Sequence, residues 1–323
     1  MKILVLGASG AAHALVWKLF NSGRIESIAA MPGNGGTGLL APNVPARESI
    51  KATIEWANQE DFRIIIPADG SFLNAGLVEE AAQWKIAVWG APKRSVLLEQ
   101  SVLWAKEFLN RYKIPTATGR AFGDLVTAER YLASQTLPVM LSGDEPSEFD
   151  GGYTDRAEAM TALEGIFSLP LPEGRFRGVV IETPALGPTV AYSCLTDGQT
   201  LLPLQAVRTY DRLENGDAGW AAVGMGAHSG ASPLLYKIGE FIHVQIMQPL
   251  LAALQREKLA WWGVLGVDCA ITAEGPKVLR IRSTLSDSEA HVLLPRLADD
   301  LLGLIAACNN RSLHTLPSLR WQQ

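Results

Sequence analysis

The sequence predicts an α/β chain of more than one domain, and three observations predict it. Between residues 3 and 89, short continuous apolar runs alternate with helical segments, the order that builds a parallel sheet with right-handed crossovers. From about Thr118 the texture changes to short strands, turn signals and capped helices, the mark of a small α+β lobe. The chain has 323 residues, 48% hydrophobic and 19% charged, enough for two or three buried cores and unlike a disordered chain.

Residues 3–6, Ile-Leu-Val-Leu, read as a strand covered on both faces. Gly7-Ala8-Ser9-Gly10 then turns the chain into a helix over 11–21. Bare backbone N–H groups at a helix start attract anions, so strand, glycine turn and helix together form a candidate phosphate cradle. A tight turn without a ligand is the alternative. The spacing is Gly-x-x-Gly, not the dinucleotide Gly-x-Gly-x-x-Gly, and the second strand, 27–30, ends at Met31-Pro32-Gly33-Asn34 with no carboxylate. Both features argue against NAD. Asn34-Gly35-Gly36-Thr37-Gly38 is a second glycine-rich loop. A helix over 48–58, a strand over 63–66, a helix over 72–84 and a strand over 86–89 complete the alternation. Asp69 follows the third strand, at the carboxyl end of the sheet where ligands bind in such folds, though a solvated turn aspartate is the simpler reading.

A helix over 99–112 is ended by Ile114-Pro115. Asp124 caps a helix to 133, a strand follows at 139–141, and 142–153 reads as a polar, mobile loop. Thr154 or Asp155 caps a helix to 167, and 178–182 is a strand. Strands over 190–195 and 200–207 flank the turn signal Asp197-Gly198. Ser232-Pro233 starts one long helix to about 258, with the proline at its first position. Strands over 264–272 and 277–282 surround Glu274-Gly275, and a last helix spans 289–309. Between these parts lies 214–229, with four glycines and no run that reads as a strand or helix. It is expected to be an ordered loop that approaches a ligand closely, against the alternative of a plain surface loop.

Net charge is −5 and no basic stripe appears, which argues against nucleic acid as a partner. Cys194, Cys269 and Cys308 are widely spaced and odd in number, so neither a disulfide framework nor a Cys-x-x-Cys metal site follows, and a reducing cytoplasm fits. The apolar run at the start is four residues long before Gly7, too short for a signal peptide. No stretch has the uncharged length of a membrane span.

Several collinear pieces resemble the phosphoribosylamine–glycine ligase family, also called glycinamide ribonucleotide synthetase, of the ATP-grasp fold. They are Gly7-Ala8-Ser9-Gly10-Ala11-Ala12-His13-Ala14-Leu15, Pro32-Gly33-Asn34-Gly35-Gly36-Thr37, Trp89-Gly90-Ala91-Pro92, Ala105-Lys106-Glu107-Phe108-Leu109, and Gly216-Asp217-Ala218-Gly219 with Gly224-Met225-Gly226-Ala227 and Ser229. The resemblance implies a Rossmann-like domain over 1–98, a helical connector over 99–117, a small lobe over 118–183 and a larger mixed-sheet lobe over 184–323. The family's further C-terminal domain is expected to be absent. The resemblance also implies substrate contacts at Gly10, His13, Asn34, Gly35, Asp217, Gly224, Met225, Gly226 and Ser229, with Glu182 on the adenine side of a nucleotide. The implied reaction is phosphorylation of the glycine carboxylate by ATP, then attack by the amine of phosphoribosylamine, with lysines on the phosphates and magnesium between phosphate oxygens.

The departures fall on that machinery. The family's two ATP lysines fall on Val102 and Ser142, and its Gly-Lys-Gly phosphate loop is replaced by Asp144-Glu145-Pro146-Ser147-Glu148-Phe149-Asp150. Its Glu-x-Asn metal signature falls on Arg280-Ile281-Arg282, its substrate-phosphate arginine on Thr284 and its ribose-side glutamate on Ala68. Asp287 and Glu289 keep acidic family positions, with a helix cap and a first-turn carboxylate as their alternative roles. The sequence therefore predicts a degenerate relative without catalytic or metal residues, needing no cofactor. It would bind a phosphoribosyl or amino-acid-like small molecule, or a protein partner where the C-terminal domain docks, with no nucleic acid or membrane. The alternative is an active, divergent ligase using ATP and magnesium.

Overall fold

The computed structural model describes residues 1–170, 177–215, 218–230 and 232–322. The chain begins β1 (Lys2–Gly7), α1 (Gly10–Phe20), β2 (Ser27–Pro32), α2 (Ile50–Gln59), β3 (Phe62–Pro67), α3 (Gly70–Asn74), α4 (Leu77–Gln83) and β4 (Ala87–Val88). These strands form a parallel sheet in the order β2-β1-β3-β4, the topology the alternation predicts. Next come α5 (Lys93–Gln100), α6 (Val102–Arg111), β5 (Gly119–Phe122), α7 (Leu125–Ser134), β6 (Val139–Gly143), β7 (Gly151–Tyr153), α8 (Arg156–Ser168) and β8 (Val179–Glu182). The last part holds β9 (Thr189–Thr196), β10 (Leu201–Pro203), β11 (Val207–Glu214), β12 (Ala218–Ser229), α9 (Pro233–Ile242), α10 (Gln248–Arg256), β13 (Gly263–Thr272), β14 (Gly275–Arg282), α11 (Asp287–Leu293) and α12 (Leu301–Asn309).

The chain divides into two compact units. The first joins Met1–Val96, Pro188–Asp268 and Arg282–Gln323. One core serves all three segments: Ile3, Leu15 and Val16 pack in the same cluster as Ala191, Val207, Leu293 and Ile305, each at most 2% exposed. The order β12-β11-β9-β13 belongs to this unit, with β12, β11 and β9 antiparallel in turn and β10 antiparallel on β9. The second unit joins Leu97–Gly187 to Cys269–Ile281. Its antiparallel sheet runs β5-β8-β6-β7, with Ala128, Leu132, Leu163 and Ile181 buried beneath α7 and α8.

Three expected helices are each two. Ser101 interrupts the helix over 99–112 because its hydroxyl accepts the Trp104 N–H at 3.1 Å and caps α6 afresh. Pro295 lies in the break between α11 and α12, and cannot continue a helical hydrogen-bond ladder. Gly76, at φ 90°, turns the chain between α3 and α4. The long helix from Pro233 carries a π turn at His243–Met247 before α10. Pro249 lacks an N–H and its ring crowds the carbonyl four residues back, so the turn before it widens. Ser232 and Asp124 cap as expected, and Asp155 rather than Thr154 caps α8. Asp69 is the N-cap of α3, accepting the Ser71 N–H at 2.7 Å.

The largest correction concerns 214–229, expected to be a loop: among its described residues, 218–229 are strand. Residues 218–229 form β12, paired antiparallel with β11 through Arg208↔His228, Thr209↔Ala227 and Tyr210↔Gly226. Glycine disfavours a strand, but a ladder along a partner strand supplies the missing order, and β12 is an edge strand with register shifts after Tyr210 and Arg212. The segment expected to be a mobile loop, 142–153, is also structured. Asp150 accepts the Gly143 N–H and the Ser147 hydroxyl, both at 3.0 Å, and β7 pairs with β6.

Candidate functional site

Ser9 caps α1, its hydroxyl accepting the Ala12 N–H at 3.4 Å. The next two donors, the N–H groups of Gly10 and Ala11, point at the Asp287 carboxylate, at 3.2 and 2.8 Å. This is the anion-seeking end of the helix. The anion there is the chain's own, delivered by the first turn of α11. Gly10 must be glycine at this approach: a Cβ would lie 2.6 Å from the His291 ring.

The glycine-rich turn after β2 packs beside α1. Asn34 Nδ2 donates to the carbonyls of Ala8 and Ser9, both at 3.0 Å. Its Oδ1 accepts the N–H groups of Gly36 at 2.9 Å and Thr37 at 3.0 Å. Both donors and both lone pairs of the amide are engaged, so Asn34 serves as the turn's internal brace. The His13 imidazole lies against Gly36, where an added Cβ would be 2.7 Å from Nδ1. Gly35 is exposed, with open space beside it.

Beneath α11 lies a buried polar cluster. Ser286 caps the helix in a reciprocal box with Glu289, which is fully buried. Glu289 accepts hydrogen bonds from the Ser193 hydroxyl at 2.8 Å, the Ser286 N–H and hydroxyl at 3.1 Å each, and the Arg282 guanidinium. Arg282 also donates through Nε to Asp268 at 3.0 Å and reaches the Thr284 carbonyl. Burial alone would raise the Glu289 pKa. The charge of Arg282, with hydrogen bonds from Arg282, Ser193 and Ser286, outweighs it and holds the carboxyl below its ordinary range. Gly266 leaves room for the cluster, since a Cβ there would sit 2.6 Å from Ser193 Oγ.

The expected substrate residues are thus only partly brought together. Gly10, His13, Asn34 and Gly35 share the α1 end. Ser229, at the end of β12, joins α11 by donating to the Val292 carbonyl at 3.3 Å and accepts from Arg296 at 2.8 Å. Gly224, at φ 82°, Met225, 54% exposed, and Gly226 lie further back on the edge strand. Asp217 lies outside the described residues. Glu182 belongs to the second unit, where its carboxylate meets Lys106 Nζ at 2.5 Å. Lys106 is 4% exposed and also donates to Thr116 Oγ1 at 3.2 Å and the Ala117 carbonyl, so its three donors are all used. Asp144, from the acid-rich replacement of the phosphate loop, is buried and accepts from the Ser101 hydroxyl at 2.7 Å and the Leu103 N–H at 3.2 Å.

Sequence reading missed Asp268 and Ser193 as partners of this cluster. Asp268 is a charged residue inside the otherwise apolar strand β13, and that was the available signal.

Comparison with known proteins decides the family. Residues 1–99 match the N domain of phosphoribosylglycinamide synthetase, and residues 100–290 match its ATP-grasp (A) domain. The chain belongs to the phosphoribosylglycinamide synthetase family. Phosphoribosylamine–glycine ligase of Nostoc sp. is 32% identical over all of this chain and 77% of its own length. The ligase of Allochromatium vinosum is 34% identical over 96% of this chain and 74% of its own length. The crystal structure of phosphoribosylamine–glycine ligase from Thermotoga maritima superposes with a TM-score of 0.83 at 21% identity, covering 100% of this chain and 78% of that one. A biotin carboxylase from Campylobacter jejuni, with TM-score 0.74 at 14% identity over 99% of this chain and 73% of that one, shares the ATP-grasp fold. The family is one of purine biosynthesis. Among the described residues, no helix is long and apolar enough to cross a membrane.

Proposed function

We propose that this chain is a degenerate member of its family, with ATP- and magnesium-dependent ligation lost or strongly impaired and a binding role retained on the ligase scaffold in the cytoplasm. One observation carries the reading. The family resemblance assigns magnesium ligands to Arg280 and Arg282, and Arg282 is a buried cation bound to Asp268 and Glu289. Magnesium requires oxygen ligands in octahedral array. Here a guanidinium occupies a ligand's position and engages the two adjacent carboxylates, while Arg280 is exposed. These residues do not fit the metal.

The residues near the expected nucleotide contacts support the same reading. The positions of the two phosphate lysines hold Val102 and Ser142. Asp144 is tied into the start of α6. Removing one preorganised charge-stabilising group costs about a hundredfold or more in rate, and several are absent together. The second reading, an active divergent ligase, draws on the lysine beside Glu182. Lys106, however, spends all three donors within its own unit and presents none to a phosphate.

The test is turnover. Purified protein with ATP, magnesium, glycine and freshly generated phosphoribosylamine is followed by ADP release. The degenerate reading predicts no release above the rate without glycine. Glycine- and phosphoribosylamine-dependent ADP formation would establish the second reading instead.

A further inference from the structure

One concavity of the first unit is lined by none of the residues implied in substrate or nucleotide contact. It is a groove of about 700 Å³ bounded by α9 and its π turn, by β10 with the segment after it, and by the C-terminal residues Leu319 and Trp321. Its α9 side is one helix face. Leu235, Gly239 and His243 form one row and Tyr236, Glu240 and Val244 the next, each at four-residue spacing. At 1.5 Å rise per residue this face runs about 13 Å. Gly239 keeps the wall low: a Cβ there would meet the Tyr192 ring and the Ala206 side chain, both at 3.2 Å.

The polar groups of the groove are segregated. At the end near the start of α9 lies Arg296. Its guanidinium donates to Gln205 Oε1 at 2.5 Å and Ser229 Oγ at 2.8 Å, both neutral acceptors. No carboxylate among the described residues pairs with it, so a half-buried positive charge faces the groove without a counterion. Two turns along α9 the character reverses. Tyr192 lines this end and is 4% exposed. The His243 ring stands edge-on to Tyr192, with Nδ1 3.8 Å from Cys194 Sγ. Burial lowers the His243 pKa, so the imidazole is neutral near pH 7, and with Nδ1 against Cys194 its Nε2 is the ring atom left for a ligand. Glu240, exposed at this same end, accepts the Tyr236 hydroxyl and places a negative charge there. The walls between are apolar, with Leu204, Leu235, Leu319 and Trp321.

We propose that this groove binds a small organic carboxylate with an apolar body and a hydroxyl at its far end. The carboxylate pairs with Arg296, as guanidinium geometry favours. The body lies along the apolar walls, and the hydroxyl meets Tyr192 and His243. Glu240 repels the reversed orientation. The inference does not rest on loss of ligation, because no nucleotide-related residue lines the groove.

The test uses the full chain and 3-(4-hydroxyphenyl)propanoate as probe, titrated calorimetrically at pH 7 without nucleotide. One saturable site is expected, with a dissociation constant on the order of 1 mM or tighter for a ligand of this size. The corresponding carboxamide should bind at least about tenfold more weakly, and Arg296→Met should lose binding of the acid. In the wild type, 3-phenylpropanoate should bind about three- to tenfold more weakly than the hydroxylated probe, and Tyr192→Phe should abolish that difference. Should Arg296→Met fail to fold, the acid–amide comparison on the wild type decides the same point. Equal binding of acid and amide, no saturation at about 10 mM, or an unchanged hydroxyl preference in Tyr192→Phe would overturn the proposal.

Discussion

Replacing Arg282 by methionine should destabilise the first unit far more than a typical single substitution. Arg282 is 8% exposed and bridges Asp268 to Glu289, which is fully buried. Without the guanidinium, a carboxylate is left in the core with only the Ser193 and Ser286 donors. Breaking a buried pair from one side costs about 3–5 kcal/mol. In a unit of roughly 200 residues, each kcal/mol moves the melting temperature by about 2–4 °C, so a fall of about 6–20 °C is expected. Removing Arg282 and Glu289 together, in Arg282→Met with Glu289→Leu, should recover much of the part of that loss due to Glu289, because an apolar pair of similar volume is about neutral against a buried ion pair, while the partly exposed Asp268 still loses its guanidinium. Differential scanning calorimetry of wild type, both single variants and the double variant completes the cycle. A fall below about 2 °C for Arg282→Met, or a double variant no better than the singles, would refute the claim that this cation is a structural substitute for a metal site.

Other predictions follow from the same contacts. The Glu289 pKa is lower folded than unfolded, so its contribution is present above the unfolded value and is lost as pH falls through the folded one. The stability gap between wild type and Arg282→Met should therefore be full at pH 7 and shrink below about pH 4, as urea titrations across pH would show. Asp287→Ala leaves the Gly10 and Ala11 donors without their carboxylate and should cost about 1–2 kcal/mol, whereas Asp287→Asn keeps an acceptor and should cost less. Lys106→Met strands Glu182 and two further acceptors, and should lower the melting temperature of the second unit by several degrees without altering any heat of ATP addition.

The alternating architecture was legible because it depends on local pattern. Runs such as 3–6 and 63–66, rich in apolar residues, are strands whatever lies around them, and Asp124, Ser232 and Asp197-Gly198 act on neighbours within three residues. β12 was not legible, because its glycines deny it local preference and only the β11 ladder makes it a strand. The breaks at Ser101 and Pro295, and the wide turn before Pro249, follow from single residues set inside longer helical periodicity that masks them. The site was the least legible part. Asp287 accepts the Ala11 N–H at the start of α1 across 276 residues of chain, and Ser193 reaches Glu289 across 96. That Arg282 is a neutralised core cation and not a free one follows from Asp268 and Glu289 together, a pairing that only folding creates.

If the chain keeps the ligase scaffold without its nucleotide machinery, as proposed, isothermal titration of the full chain with ATP in the presence of magnesium should find no site. No saturable heat, and no upward shift in melting temperature at millimolar ATP, is the predicted result. A dissociation constant in the micromolar range, with matching thermal stabilisation, would contradict it.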